Sequence, residues 1–134
     1  MRQHGFQTLL NLIKYLGNET NREMKITKQE RVQVWGKYNH KCAYCGEDLE
    51  FSKMQVDHIH PKYLGGKDEI ENLNPSCRQC NFYKGTYTID HFRTALATLR
   101  TRIQKSFIVR LGMKYGIVSI KQWDGLFYFE KIEK

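Results

Sequence analysis

The chain has 134 residues, with 22 lysines and arginines against 14 aspartates and glutamates, a net charge of +8 and a mean hydropathy of −0.64. No run nears the roughly 18 apolar residues of a membrane span, and the length allows one domain's core, so channels, collagen-like fibres and multidomain machines are excluded. A basic excess of this size points to a polyanionic partner, nucleic acid before an acidic membrane surface.

Apolar residues at 6, 9, 10, 12, 13 and 16 approximate helical spacing, and Gly17 is a natural stop. Residues 18–24 are polar and read as a linker, and Met24 offers an alternative start, so residues 1–23 are expected to be a helical appendage. The stretch around Leu9–Lys14 is interrupted and lacks a small-residue cleavage site, so it is no signal peptide, and a cytoplasmic location in a bacterial or phage-infected cell is expected. Thr27-Lys28-Gln29-Glu30 is a capping box that opens a short helix leading to Cys42. Gln55–Ile59 reads as a strand, and Gly65-Gly66-Lys67-Asp68 as a loop. Leu73–Ser76 is short and extended, with Pro75 restricting it to an irregular or edge position. A helix is predicted from Arg78 to about Lys84, stopping at Gly85. A longer basic helix follows from near Thr88 or Asp90, with Ile89, Phe92, Leu96, Leu99, Ile103 and Phe107 at helical spacing. Around Asp124-Gly125, residues 117–123 and 126–132 read as a C-terminal β-hairpin.

The cysteines are Cys42, Cys45, Cys77 and Cys80, two Cys-x-x-Cys pairs with none left over. Disulfides require an oxidising compartment, and a redox Cys-x-x-Cys normally occurs once. Two pairs in a reduced protein read as a closed tetrahedral zinc site, structural because four thiolates leave no open position for water. The spacer of 31 residues between the pairs carries Asp57-His58-Ile59-His60-Pro61 and Asn72, and Asn81 follows the second pair. A neutral His58 can take a proton from water. Asp57 and Asn81 offer hard oxygen ligands suited to Mg²⁺ or Mn²⁺. That combination suits metal-assisted phosphodiester hydrolysis. Strand alternation, however, points Asp57 and His58 to opposite faces, so either the strand bends there or one of these roles is misassigned.

Cys42-x-x-Cys45, Asp57-His58-Ile59-His60-Pro61, Gly65-Gly66, Glu71-Asn72-Leu73, Cys77-x-x-Cys80-Asn81 and Lys84-Gly85 together resemble the HNH endonucleases of the ββα-metal (His-Me finger) fold, in particular the four-cysteine zinc type of bacteria and phages. The resemblance covers about residues 27–90. It implies an α+β fold: a β-hairpin and a helix cradling one catalytic metal, with zinc clamping the ends. It further implies Asp57 as metal ligand, His58 as general base, Asn72 as the residue that ties the hairpin loop and helps orient the base, and Asn81 as the last ligand, where many members have histidine. His60 is left between contacting the phosphate, protonating the leaving group, completing the metal shell and being a satisfied loop histidine. The expected organisation is an appendage over 1–23, the nuclease core with its zinc site over 24–87, and a basic helix with the hairpin packed on the core over 88–134.

Charge divides as +4 over residues 1–40, −1 over 41–85 and +5 over 86–134. The basic flank with Arg93, Arg100, Arg102, Lys105 and Arg110 is the candidate grip on DNA, with Arg78 and Lys84 beside the site and no membrane partner expected. The implied activity is cutting or nicking DNA. The competing readings are a non-catalytic zinc-containing DNA-binding module and a phage packaging or terminase accessory active only in an assembly. A mobile-element assembly is the other candidate partner. Phe127-Tyr128-Phe129 reads as packing rather than a base-stacking platform.

Overall fold

Thr27 opens the first helix as its sequence predicts: its hydroxyl accepts from the Glu30 amide at 3.1 Å, and Glu30 accepts the Thr27 amide at 3.2 Å. The fold is that of a computed structural model, which describes residues 26–133; the expected helix over residues 6–16 lies outside the described residues. The first helix, α1, spans Lys28–Gly36. Val34 is buried on its inner face. Trp35 Nε1 donates to the Leu49 carbonyl at 2.6 Å, and Lys37 Nζ donates to the carbonyls of Ile70 and Leu73. Asn39 and His40 then take positive φ angles of 57° and 60°, turning the chain into the isolated bridge between Lys41 and Asp48. The two cysteines of the first pair fall inside that turn.

Strands β1, Gln55–His58, and β2, Leu73–Ser76, form a two-stranded antiparallel sheet. The register pairs Gln55 with Ser76, Val56 with Pro75, Asp57 with Asn74 and His58 with Leu73. In a two-stranded sheet both strands are edges, which is where Pro75, lacking an amide hydrogen, is tolerated. Its carbonyl accepts from the Ala43 amide at 2.8 Å, so the cysteine turn covers that edge. Helix α2, Arg78–Lys84, comes next without a linker. Cys77 is its N-cap, and the Gly85 amide closes it on the Asn81 carbonyl. This is the ββα core that the motifs imply.

The C-terminal part departs from expectation. The predicted long helix is three: α3, Ile89–Ala97, α4, Leu99–Gln104, and α5, Phe107–Lys114. Thr94 and Thr98 turn their hydroxyls back onto the carbonyls of Asp90 and Ala95, competing with the helical ladder. Ser106 is fully extended at ψ 124°, which ends α4 outright. The predicted hairpin is absent among the described residues. Asp124-Gly125 does turn, with Gly125 at φ 81° and Asp124 Oδ1 accepting from the Leu126 amide. The flanks, however, are not strands, and Tyr128–Ile132 is a helix, α6. Side chains hold the segment before the turn in place of a ladder: Arg93 donates to the Gly125 carbonyl, and Arg100 to Gln122 Oε1 at 2.6 Å. After the turn, the amides of Tyr128 and Phe129 donate to the carbonyls of Tyr44 and Ala43. Phe127 and Phe129 thereby pack edge-on against Tyr44.

The described residues fall into two units, one running to Ile89 and including Phe127 onward, the other Asp90–Leu126. Among the described residues no helix is long and apolar enough to cross a membrane.

Candidate active site

The four cysteines converge. Cys42 and Cys45 sit on the turn that the Gly46 amide closes onto the Cys42 carbonyl, while Cys77 and Cys80 sit on the first turn of α2. Gly46 has φ +82°, and a Cβ there would lie 3.0 Å from the Tyr128 ring, so glycine suits the turn on both counts. All four sulfurs lie within 4.8 Å of one another, and Cys45 and Cys77 are 3.9 Å apart. A tetrahedral ion with Zn–S bonds of about 2.3 Å spaces its sulfurs by about 3.8 Å, so the cluster fits a structural zinc ion. Amides of Cys77 and Cys80 donate to the sulfurs of Cys42 and Cys77. Hydrogen bonds from Cys45 and Cys80 pull the Cys42 thiol well below its ordinary range, whereas burial pushes Cys77 up to about 12. Four sulfurs this close can all be thiolates only around a cation.

Strand β1 is regular, and its alternation separates Asp57 from His58 as the period of two requires. Asp57 turns inward and is 1% exposed. Its Oδ2 accepts from the Tyr44 hydroxyl at 2.5 Å and from Lys84 Nζ at 2.9 Å. Lys84 is itself 0% exposed and donates also to the His58 carbonyl at 2.8 Å. This corrects the expectation that Lys84 touches phosphate, because a buried ammonium engaged with a carboxylate and a carbonyl is a strut between β1 and α2. Burial first, and then the Asp57 charge, raise the Tyr44 phenol well above its ordinary value, so it stays a donor. Asn81 lies one helical turn before Lys84 and so shares its face of α2. A carboxylate and an amide oxygen are a donor set that suits a small oxygen-preferring divalent ion.

His58 faces the loop joining the strands, and its Nε2 lies 2.6 Å from Asp68 Oδ1. Lys62 pairs with the other oxygen of Asp68 at 3.2 Å. Partial burial raises the Asp68 carboxyl, but the hydrogen bonds from His58 and Lys62 outweigh it and hold the group below its ordinary value. An ionised Asp68 can only accept, so in the neutral form of the imidazole the hydrogen sits on Nε2 and Nδ1 is left as the acceptor. Sequence reasoning places Asp68 in a loop and gives it no role in the site. The signal available is a carboxylate ten residues after a candidate base, across a Gly-Gly turn.

Asn72 closes that loop with three bonds: its Oδ1 accepts from the His60 amide at 2.8 Å, and its Nδ2 donates to the carbonyls of His60 and Lys67. The His60 ring reaches the Leu64 carbonyl at 3.0 Å, an attachment within the loop. Gly66 is required for space, since a Cβ there would fall 1.8 Å from the His60 carbonyl oxygen.

The basic candidates divide. Arg78 is exposed on α2. Arg93 and Arg100 brace the Gln122–Gly125 segment, Arg102 donates to the Ala95 carbonyl, and Arg110 donates to the carbonyls that end α4. Lys105 and Lys114 are exposed.

Residues 42–87 match the family described as HNH endonuclease. The chain is 38% identical over 64 residues to the CRISPR-associated endonuclease Cas9 of Corynebacterium diphtheriae, covering 43% of this chain and 6% of that protein. It is 38% identical over 84 residues to the Septu protein PtuB of Bacillus thuringiensis, covering 50% of this chain and 33% of that one. The chain therefore spans a third or less of the length of these relatives. Among solved structures, a Type II-C Cas9 enzyme from Actinomyces naeslundii superposes with a TM-score of 0.47 at 21% identity, covering 71% of this chain and 11% of that one. Residues 42–87, with their four-cysteine cluster, are thus the segment that matches the HNH endonuclease family.

Proposed function

We propose that the chain is a metal-dependent DNA endonuclease that hydrolyses phosphodiester bonds. The observation that carries this reading is the His58–Asp68 pair at 2.6 Å, which leaves Nδ1 of a strand-held imidazole as the acceptor for a proton. His58 is the general base that deprotonates the attacking water. Asn72 and the His60 backbone hold the loop that carries Asp68, so the base and its orienting carboxylate sit on one braced element. The Asp57 carboxylate and the Asn81 amide oxygen would hold a divalent ion, Mg²⁺ or Mn²⁺; because the regular strand turns Asp57 to the face opposite His58, this ligand role rests on the family resemblance and not on the strand geometry. Such an ion supplies charge neutralisation at the phosphate and at the leaving oxygen. Zinc at Cys42, Cys45, Cys77 and Cys80 is structural and ties the turn before β1 to the start of α2.

DNA is gripped through Arg78 and the exposed cations of residues 90–126, where seven basic side chains face two acidic ones. A second reading, that cleavage requires an assembly partner, is favoured by one observation: Phe107 and Ile108 on α5 are 68% and 70% exposed. Incubating the protein with supercoiled plasmid in Mg²⁺, Mn²⁺ or EDTA tests the proposal. Open-circle or linear product with the ions and none with EDTA is the expected outcome. DNA binding without product under any ion would leave the non-catalytic binding module or the assembly-dependent reading.

A further inference from the structure

Two partners of the Asp57 carboxylate are carried by opposite halves of the four-cysteine site. Tyr44 stands between Cys42 and Cys45, and its hydroxyl donates to Asp57 Oδ2. Lys84 stands four residues after Cys80 on α2, hence on the same helical face, and its ammonium reaches that same oxygen. The turn bearing Tyr44 is pinned on three sides: the Ala43 amide to the Pro75 carbonyl, the Tyr44 carbonyl to the Tyr128 amide, and Cys42 Sγ to the Cys77 amide. The ring is held edge-on by Phe127 and Phe129, and Asn74, the cross-strand partner of Asp57, donates to the hydroxyl at 3.5 Å. A phenylalanine would fill the same space, so what the hydroxyl adds is its bond to the carboxylate.

We infer that Tyr44 is a positioning residue: through its hydroxyl the first cysteine pair fixes the Asp57 carboxylate, so the four-cysteine site sets the affinity of the divalent-ion site beside it. This rests on the reading of Asp57 as a ligand of that ion. Groups that hydrogen-bond a metal-binding carboxylate orient it, and their loss typically weakens metal binding about 10- to 100-fold. Zinc then does more than hold the fold together, because these two struts of the carboxylate start from the turn that carries Cys42 and Cys45 and from the helix that carries Cys80.

The test is calorimetric titration of the zinc-loaded full chain with Mn²⁺ in the absence of DNA. Tyr44→Phe is expected to keep its zinc, to stay folded with a lowered melting temperature, and to bind Mn²⁺ about 10- to 100-fold more weakly. Asp57→Asn is expected to abolish Mn²⁺ binding. Tyr44→Phe with an affinity within about twofold of wild type overturns the inference while leaving Asp57 as ligand. Asp57→Asn binding like wild type, or wild type failing to bind at all, removes Asp57 as ligand and overturns the inference together with that part of the proposed function. Should Tyr44→Phe lose zinc, wild-type protein still decides: the buried Tyr44 hydroxyl proton, assigned through its ring protons by NMR, is expected to shift when Mg²⁺ fills the site. An unmoved resonance at saturating Mg²⁺ overturns the inference.

Discussion

Asp68 and Lys84 show how much one side chain's partner decides its role. Asp68 lies in a loop, yet its bond to His58 Nε2 sets which imidazole nitrogen is basic. Replacing it with asparagine removes the charge that selects that tautomer. In hydrolases where a carboxylate orients the histidine, such a change costs up to about 10⁴ in rate. Asp68→Asn is therefore expected to lose most cleavage while keeping zinc and melting temperature, measured by single-turnover cleavage beside metal analysis. Lys84 teaches the reverse lesson. A lysine in the last turn of a helix reads as solvated, because its spacing says nothing of Asp57, 27 positions earlier. Only the β1–β2 pairing and the docking of α2 bring the two together, so that burial is a property of the tertiary structure and illegible locally.

At the scale of elements, the legible local signals are those satisfied locally. The Thr27–Glu30 capping box closes within one turn, α2 runs from Arg78 to Lys84 and stops at Gly85, and β1 lies within the predicted strand. The hairpin predicted after residue 117 does not form because alternation and an Asp-Gly turn are necessary but not sufficient. Tyr128 and Phe129, just past the turn, bond to the cysteine loop at Tyr44 and Ala43 instead of to the segment before it, and the Phe127 amide donates to Glu130 to start a helix. The strand-joining loop gives a sharper test. Gly66 leaves no room for a methyl group against the His60 carbonyl, so Gly66→Ala must move the segment that Asn72 closes. Overpacking of this kind costs about 1–3 kcal/mol. Thermal melting is expected to show that loss, whereas Gly36→Ala, where nothing lies within 4 Å of the added carbon, is expected to show none of it.

For the whole molecule, metal and charge make separate predictions. Cys77 is both a sulfur of the cluster and the N-cap of α2. Cys77→Ser is expected to lose bound zinc and the cooperative melting transition of the ββα core, because zinc binding and folding are coupled in such sites. Stoichiometric zinc by elemental analysis in that variant would argue against the cluster as its holder. The net +8 resolves into a near-neutral middle, where the chemistry is proposed, and basic flanks. Lys105 and Lys114 are exposed, and replacing each with alanine is expected to lower the salt slope of DNA binding by about 1 without altering sequence preference. An unchanged slope places the grip elsewhere.

The proposed activity turns on His58 activating water for phosphodiester hydrolysis. It is tested most directly by comparing wild type with His58→Ala on supercoiled plasmid with Mg²⁺ or Mn²⁺ at equal zinc content and melting temperature. Cleavage in the variant is expected to slow about 10²- to 10⁴-fold; cleavage at the wild-type rate would contradict a role for His58 as the base.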